Sequence, residues 1–195
     1  METISNLLFW ISNGLLVPVV LVLLLLFVRA ILMAMSFFGE LYQRMKLQAQ
    51  LAQLLEEITP SEAETKLRTL PLETRSRLMK AIDLLLEHRA QTDYRERLLA
   101  NYEVDAEREL AQCRTLVKLG PMMGLMGTLI PMGPALVGLA SGDITSMAYN
   151  MQVAFATTVV GVFVAAIGVV TLQVKQRWYA REQNDLEYIS KTLAL

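Results

Sequence analysis

Charge is nearly absent from three long stretches of the chain, and the polar residues gather between and after them. Leu7 to Val28 is an uncharged apolar run of about 22 residues, which as a helix extends roughly 33 Å and matches a bilayer core. Leu119 to Ala140 is a second run of similar length. After Ser141-Gly142-Asp143 a third extends from Ile144 to Val174, with Tyr149 to Leu172 as the part expected in lipid. The pattern predicts an all-α, multi-pass membrane protein with three transmembrane helices that extend into a cytoplasmic helical region. The first run differs from a cleaved signal peptide: Glu2 rather than a basic stretch precedes it, and no small-x-small site directly follows it. Arg29, followed by Ala30-Ile31-Leu32-Met33-Ala34-Met35, predicts a helix that continues past the bilayer, with the guanidinium snorkelling to the interface.

Residues 40–115 carry most of the acidic side chains, and Leu47, Leu51, Leu54, Leu55 and Ile58 recur at helical spacing. Thr59-Pro60-Ser61-Glu62 reads as a helix start, with Thr as N-cap and Pro at the first helical position. That helix should stop before Pro71, which disfavours the α conformation at Leu70. From Leu72 to Lys118 there is neither Gly nor Pro, so one helix is expected to run into the second span. The expected layout is a first transmembrane helix at 1–38, a helical region at 39–115, a second span at 116–141, an external turn at 142–148, a third span at 149–174 and a C-terminal helix at 175–195.

Composition agrees with lipid as part of the solvent, since 54% of the residues are hydrophobic and mean hydropathy is +0.39. Charge placement gives the orientation, because Lys and Arg flanking spans stay preferentially in the cytoplasm. Arg29, Arg44 and Lys46 follow the first span, Arg108, Arg114 and Lys118 precede the second, and Lys175, Arg177 and Arg181 follow the third. No Lys or Arg lies in residues 1–28 or 119–174. The N-terminus and the turn are thus expected outside, and the C-terminus and residues 40–115 inside. The net charge of -1 points to no nucleic-acid partner. The lone Cys113 excludes an intrachain disulfide, and neither it nor the solitary His88 has metal-ligand spacing around it, so no metal or cofactor is expected.

The second span reads Leu119-Gly120-Pro121-Met122-Met123-Gly124-Leu125-Met126-Gly127-Thr128-Leu129-Ile130-Pro131-Met132-Gly133-Pro134. So many Gly and Pro residues suit a membrane helix packed closely in protein, where neighbours satisfy the freed carbonyls. In the third span Ala154, Thr158, Gly161, Ala165 and Gly168 follow at intervals of four, three, four and three, which places small residues along one helix face. Packing alone explains such a seam. Thr128, Thr158 and the adjacent Thr157 add hydroxyls that can hydrogen-bond water as well as a helix carbonyl. Between Leu119 and Val174 the only ionisable side chains are Asp143, in the turn, and Tyr149. A proton relay ordinarily needs a buried carboxylate or imidazole, so a titrating group for such a path has to come from another chain.

Gly124-Leu125-Met126-Gly127-Thr128-Leu129-Ile130 and Ala156-Thr157-Thr158-Val159-Val160-Gly161-Val162-Phe163-Val164-Ala165-Ala166 resemble the two signature membrane helices of the MotA/TolQ/ExbB proton-channel family. The similarity covers about residues 115–180, and the three-span plan resembles the TolQ/ExbB branch. The resemblance implies a ring of five subunits in the inner membrane around two single-span partners of the MotB/TolR/ExbD type, whose membrane Asp carries the proton. It also implies Thr128 and Thr158, with Thr157, as lining of the ion pathway. Gly124, Gly127 and Gly161 match its close-packing positions in the pore wall, and Ala165 and Gly168 continue the same small-residue seam. The Pro131-Met132-Gly133-Pro134 run departs from the family pattern, with Pro131 and Pro134 expected to bend the outer end of the second span. A second departure is Gln152, in Met151-Gln152-Val153, where ExbB-like proteins often carry a carboxylate.

No enzymatic constellation competes with this reading: there is no nucleophile with a base, and the Gly-rich span lacks the Gly-Lys-Ser/Thr ending of a phosphate loop. The expected function is therefore the channel-forming subunit of an ion-driven motor or stator. The alternatives are a non-conducting membrane scaffold and the same machine coupled to sodium.

Overall fold

A computed structural model describes residues 2–57, 77–88 and 91–192. Among them every regular element is an α-helix, in the order α1 (Glu2–Glu57), α2 (Arg77–Glu87), α3 (Thr92–Ser141) and α4 (Ile144–Thr192). α1, α3 and α4 each contain a segment long and apolar enough to cross a membrane, so this is a multi-pass membrane protein. The helix start expected at Thr59-Pro60 and the stop expected at Pro71 lie outside the described residues.

The chain divides into two compact units, Met1–Met35 with Gln112–Leu172, and Ser36–Ala111 with Gln173–Leu195. In the first, α1, α3 and α4 pack around Leu26, Ala30, Leu116 and Val164. Phe27 meets Phe163 with ring centroids 5.9 Å apart, and the buried Cys113 thiol lies 3.7 Å from Met33 Sδ. The other faces of these segments expose large apolar side chains, among them Leu25, Leu129, Leu136, Phe155 and Val159. Water would oppose that exposure at roughly 25 cal/mol for each Å². Lipid tails do not, so the outward faces need no polar residues.

The second unit has an ordinary hydrophobic core. α2 turns Leu78, Met79, Ala81, Ile82, Leu85 and Leu86 inward against Leu98 and Tyr102 of α3 and Leu186 and Ile189 of α4. Here the structure departs from the single helix expected from Leu72 to Lys118: α2 ends at Glu87 and α3 begins at Thr92. No Gly or Pro forces the break. Gln91 is the N-cap of α3, its carbonyl accepting from Arg95 N at 3.1 Å, and Asp93 in the first turn complements the helix dipole. Arg95 also donates to Thr92 Oγ1 and to Ser190 O of α4, at 3.3 and 2.6 Å. Folding α2 back buries six apolar side chains that a straight continuation would spread along a solvated helix, and this gain outweighs the favourable propensity of an unbroken one.

α3 and α4 are joined by Gly142 and Asp143 alone, a tighter turn than residues 142–148. Gly142 has φ +77°, the left-handed conformation that closes a helix. Its N–H donates to Leu139 O at 3.2 Å, and Asp143 N donates to Gly138 O at 2.8 Å, the paired bonds of a Schellman motif. Asp143 then caps α4 by accepting from Ser146 N on Oδ1 at 3.0 Å.

Leu85 is completely buried where α2 meets α3 and α4. L85A should destabilise the second unit by about 2–5 kcal/mol, seen as a lowered Tm and faster proteolysis around residues 77–110 with the membrane segments still protected.

Candidate functional site

The hairpin of α3 and α4 holds every side chain that the sequence singles out, and glycines set its geometry. A Cβ on Gly161 would stand 2.6 Å from Gly120 O and 2.9 Å from Gly124 Cα. One on Gly120 would stand 2.7 Å from Gly161 O and 3.1 Å from Ala165 N. The two backbones are therefore in direct contact, which only residues without a Cβ permit. Gly168 is sealed in the same way against Leu116 and Val117, with a Cβ 3.0–3.1 Å from them. Pro131 is fully buried and Pro134 half-buried, yet α3 runs unbroken through both.

The three threonines occupy different positions. Thr157 is 6% exposed and lies under Gly127, where a Cβ would come 2.6 Å from its own Cβ. Its hydroxyl is satisfied within α4, donating to Val153 O at 3.1 Å and Ala154 O at 2.9 Å. Thr158 and Thr128 are half-buried at the edge of the hairpin; Thr158 donates to Ala154 O at 3.3 Å and Thr128 to Leu125 O at 2.7 Å. Their oxygens keep lone pairs for a further donor from water or a partner. The deeply buried column of α4 is thus Ala154, Thr157, Gly161, Val164, Gly168 and Thr171. Thr158 and Ala165 stand one position to its side, both half-buried. Gln152 is exposed on α4, the helix that carries Thr157 and Thr158.

In the second unit the same periodicity of α4 carries charge. Lys175 is 7% and Glu182 3% exposed. Lys175 Nζ lies 3.1 Å from Glu40 Oε2 and 3.4 Å from Glu109 Oε2. Glu109 also accepts hydrogen bonds from Arg77 and Tyr179, and Glu182 from Arg44 and Tyr102. The Arg44 guanidinium sits 5.0 Å over the Trp178 ring and 5.3 Å over that of Tyr179, tying the two carboxylate groups together. Burial works against ionisation of both acids. For Glu109 the Tyr179 hydrogen bond and the charges of Arg77 and Lys175 outweigh burial and hold the pKa below its usual value. For Glu182 burial prevails over Arg44 and the Tyr102 hydrogen bond, and the pKa is raised. Charge placement along the sequence gives Arg44 and Lys175 a role in membrane orientation and does not single out Glu109 or Glu182. Their signal was Lys175 and Glu182 continuing the three-four repeat of a buried stripe, positions where a solvated charge is out of place. Among the described residues no group of His, Cys, Asp or Glu could hold a metal ion.

Two outcomes follow from this geometry. G127A should cost about 1–3 kcal/mol through overpacking against Thr157, read as a lower Tm in detergent, and T157G in the same chain should recover part of the loss. Because the folded-state pKa of Glu109 is depressed, its ionisation stabilises the fold above pH 4.5, and that contribution disappears as pH falls further. E109Q should therefore be less stable at neutral pH and show a flatter stability profile below pH 4.5, in a pH series of thermal unfolding.

Comparison with known proteins matches residues 41–188 to the family model described as MotA/TolQ/ExbB proton channel family. No curated protein and no solved structure matches the chain. The family match takes in the glycine seam, all three threonines and the charged cluster apart from Glu40. With three apolar helices and most of its length inside that match, the chain belongs to the MotA/TolQ/ExbB proton channel family and is consistent with its three-span branch.

Proposed function

We propose that this protein is the channel-forming subunit of a motor or stator complex that converts ion flow across the inner membrane into mechanical work. Five copies form a ring around two single-span partners of the MotB/TolR/ExbD type, and a membrane Asp of the partner binds and releases the proton. The observation that carries this reading is a contrast: the chain belongs to a proton channel family, yet residues 119–174 hold no ionisable side chain other than Asp143 and Tyr149. Its hairpin can supply hydroxyls and a smooth wall, but no acid. The group that changes protonation is then the partner's.

Within that arrangement Thr128 and Thr158 line the path, since their half-buried hydroxyls each spend only one bond on their own helix. Thr157 stands behind them, locking α4 to α3 under Gly127. Gly124, Gly161, Ala165 and Gly168 fix the wall, and Pro131 and Pro134 shape its outer half. The distribution of basic residues supports an orientation with the N-terminus and the Gly142-Asp143 turn outside and the C-terminus in the cytoplasm. Each proton crossing 100 mV supplies about 2.3 kcal/mol.

Replacing Thr128 and Thr158 together by Val keeps their volume and removes both hydroxyls. In vesicles holding the protein and its partner, the T128V/T158V variant should lose most ion flux while still assembling. Flux equal to wild type would remove the pore assignment and leave a scaffold role. Flux that disappears when sodium is replaced would assign the coupling ion to sodium.

A further inference from the structure

A cavity of about 500 Å³ opens in the second unit, between α2 and the first turns of α3. This lies within the roughly 300–1,000 Å³ common for small-molecule sites. It has two kinds of wall. Ala81, Leu84 and Leu98 give an apolar floor beside Tyr94, whose ring stacks on His88 with centroids 4.1 Å apart. Arg77, Lys80 and Arg97 bring positive charge.

The cations exceed the acids. Glu109 answers Arg77, leaving Asp105 as the one acid in the lining to face both Lys80 and Arg97. Neither Lys80 nor Arg97 forms an ion pair among the described residues. Arg77 uses Nη2 on Glu109, while its buried Nη1 has no acceptor among the described residues. A buried guanidinium donor left unmatched is costly, so Arg77 keeps an unmet demand for an acceptor beside the cavity. Asn101 adds an amide able both to donate and to accept.

We infer that this cavity binds a nucleotide-like organic phosphate, with Arg77, Lys80 and Arg97 on the phosphates and the planar group between Tyr94 and the Leu84–Leu98 floor. Inorganic phosphate alone would leave the apolar floor uncovered, and a neutral planar ligand would leave the cations unmatched. A ligand seated there touches α2 through Lys80 and Leu84 and α3 through Arg97 and Asn101, so it clamps the two helices across the break at His88–Gln91.

ATP is the probe, titrated by calorimetry against the full-length protein in phosphatidylcholine nanodiscs. Saturable binding is expected, with inorganic pyrophosphate weaker by about tenfold or more. K80A/R97A changes two cations outside the packed core, and L84W fills the cavity without altering charge. Each should weaken ATP by at least about tenfold while Tm and helical content stay at wild-type values. Equal ATP affinity in either variant overturns the proposal, as does pyrophosphate binding as tightly as ATP, which would reduce the site to a charge patch. Loss of ATP binding on moving to phosphatidylglycerol nanodiscs also overturns it, because the cavity would then hold a lipid headgroup.

Discussion

Direct backbone contact between α3 and α4 is the constraint on which the membrane unit depends. Inside a bilayer, apolar side chains gain nothing by leaving lipid for protein, so helices associate through close packing and the bonds that packing allows. Gly120, Gly124 and Gly161 bring the two helices within van der Waals reach of each other's peptide groups. Thr157 fills the hollow under Gly127, and Val164 meets Leu116 and α1 through Leu26 and Ala30. Remove the seam, and the positions of Thr128 and Thr158 are no longer determined by anything else in this unit.

α4 carries two kinds of chemistry on one unbroken repeat. Through the apolar segment its inward column is small or aliphatic, and after Leu172 the column continues as Lys175, Tyr179, Glu182, Leu186 and Ile189. The ionic members are buried only because they are matched: Lys175 by two carboxylates, Glu182 by Arg44 and a phenol. Breaking such a pair by removing one partner leaves the other charge desolvated, which costs far more than the pair contributes when whole. The depressed pKa of the half-buried Glu109 and the raised pKa of the deeply buried Glu182 show that two carboxylates of one unit are resolved differently by their surroundings.

Much of this architecture was legible in the sequence, because length and charge placement leave few alternatives for runs such as Leu7–Val28. Helix phase was less legible. Small residues fill two neighbouring columns of α4, one through Thr157 and Val164 and the other through Thr158 and Ala165, and composition alone does not say which faces α3. The steric demand of Gly127 decides it. The break between Glu87 and Thr92 was illegible for a different reason: its cause is distant, in the core that α2 forms with Leu98 and Leu186. The charged cluster escaped notice because basic residues near spans already had an explanation in topology.

The turn at Gly142 and Asp143 has a mechanical consequence. With only two residues between the helices and hydrogen bonds closing both ends, there is no slack for α4 to slide along α3. A slip by one turn would carry Val164 or Thr157 onto positions where Gly120 and Gly124 tolerate only a bare backbone. The register of the hairpin is therefore discrete, and the soft motions left to it are those of one stiff body. Any conformational cycle in this membrane unit has to be executed by moving the hairpin whole, with the deformation confined to its contacts with other helices.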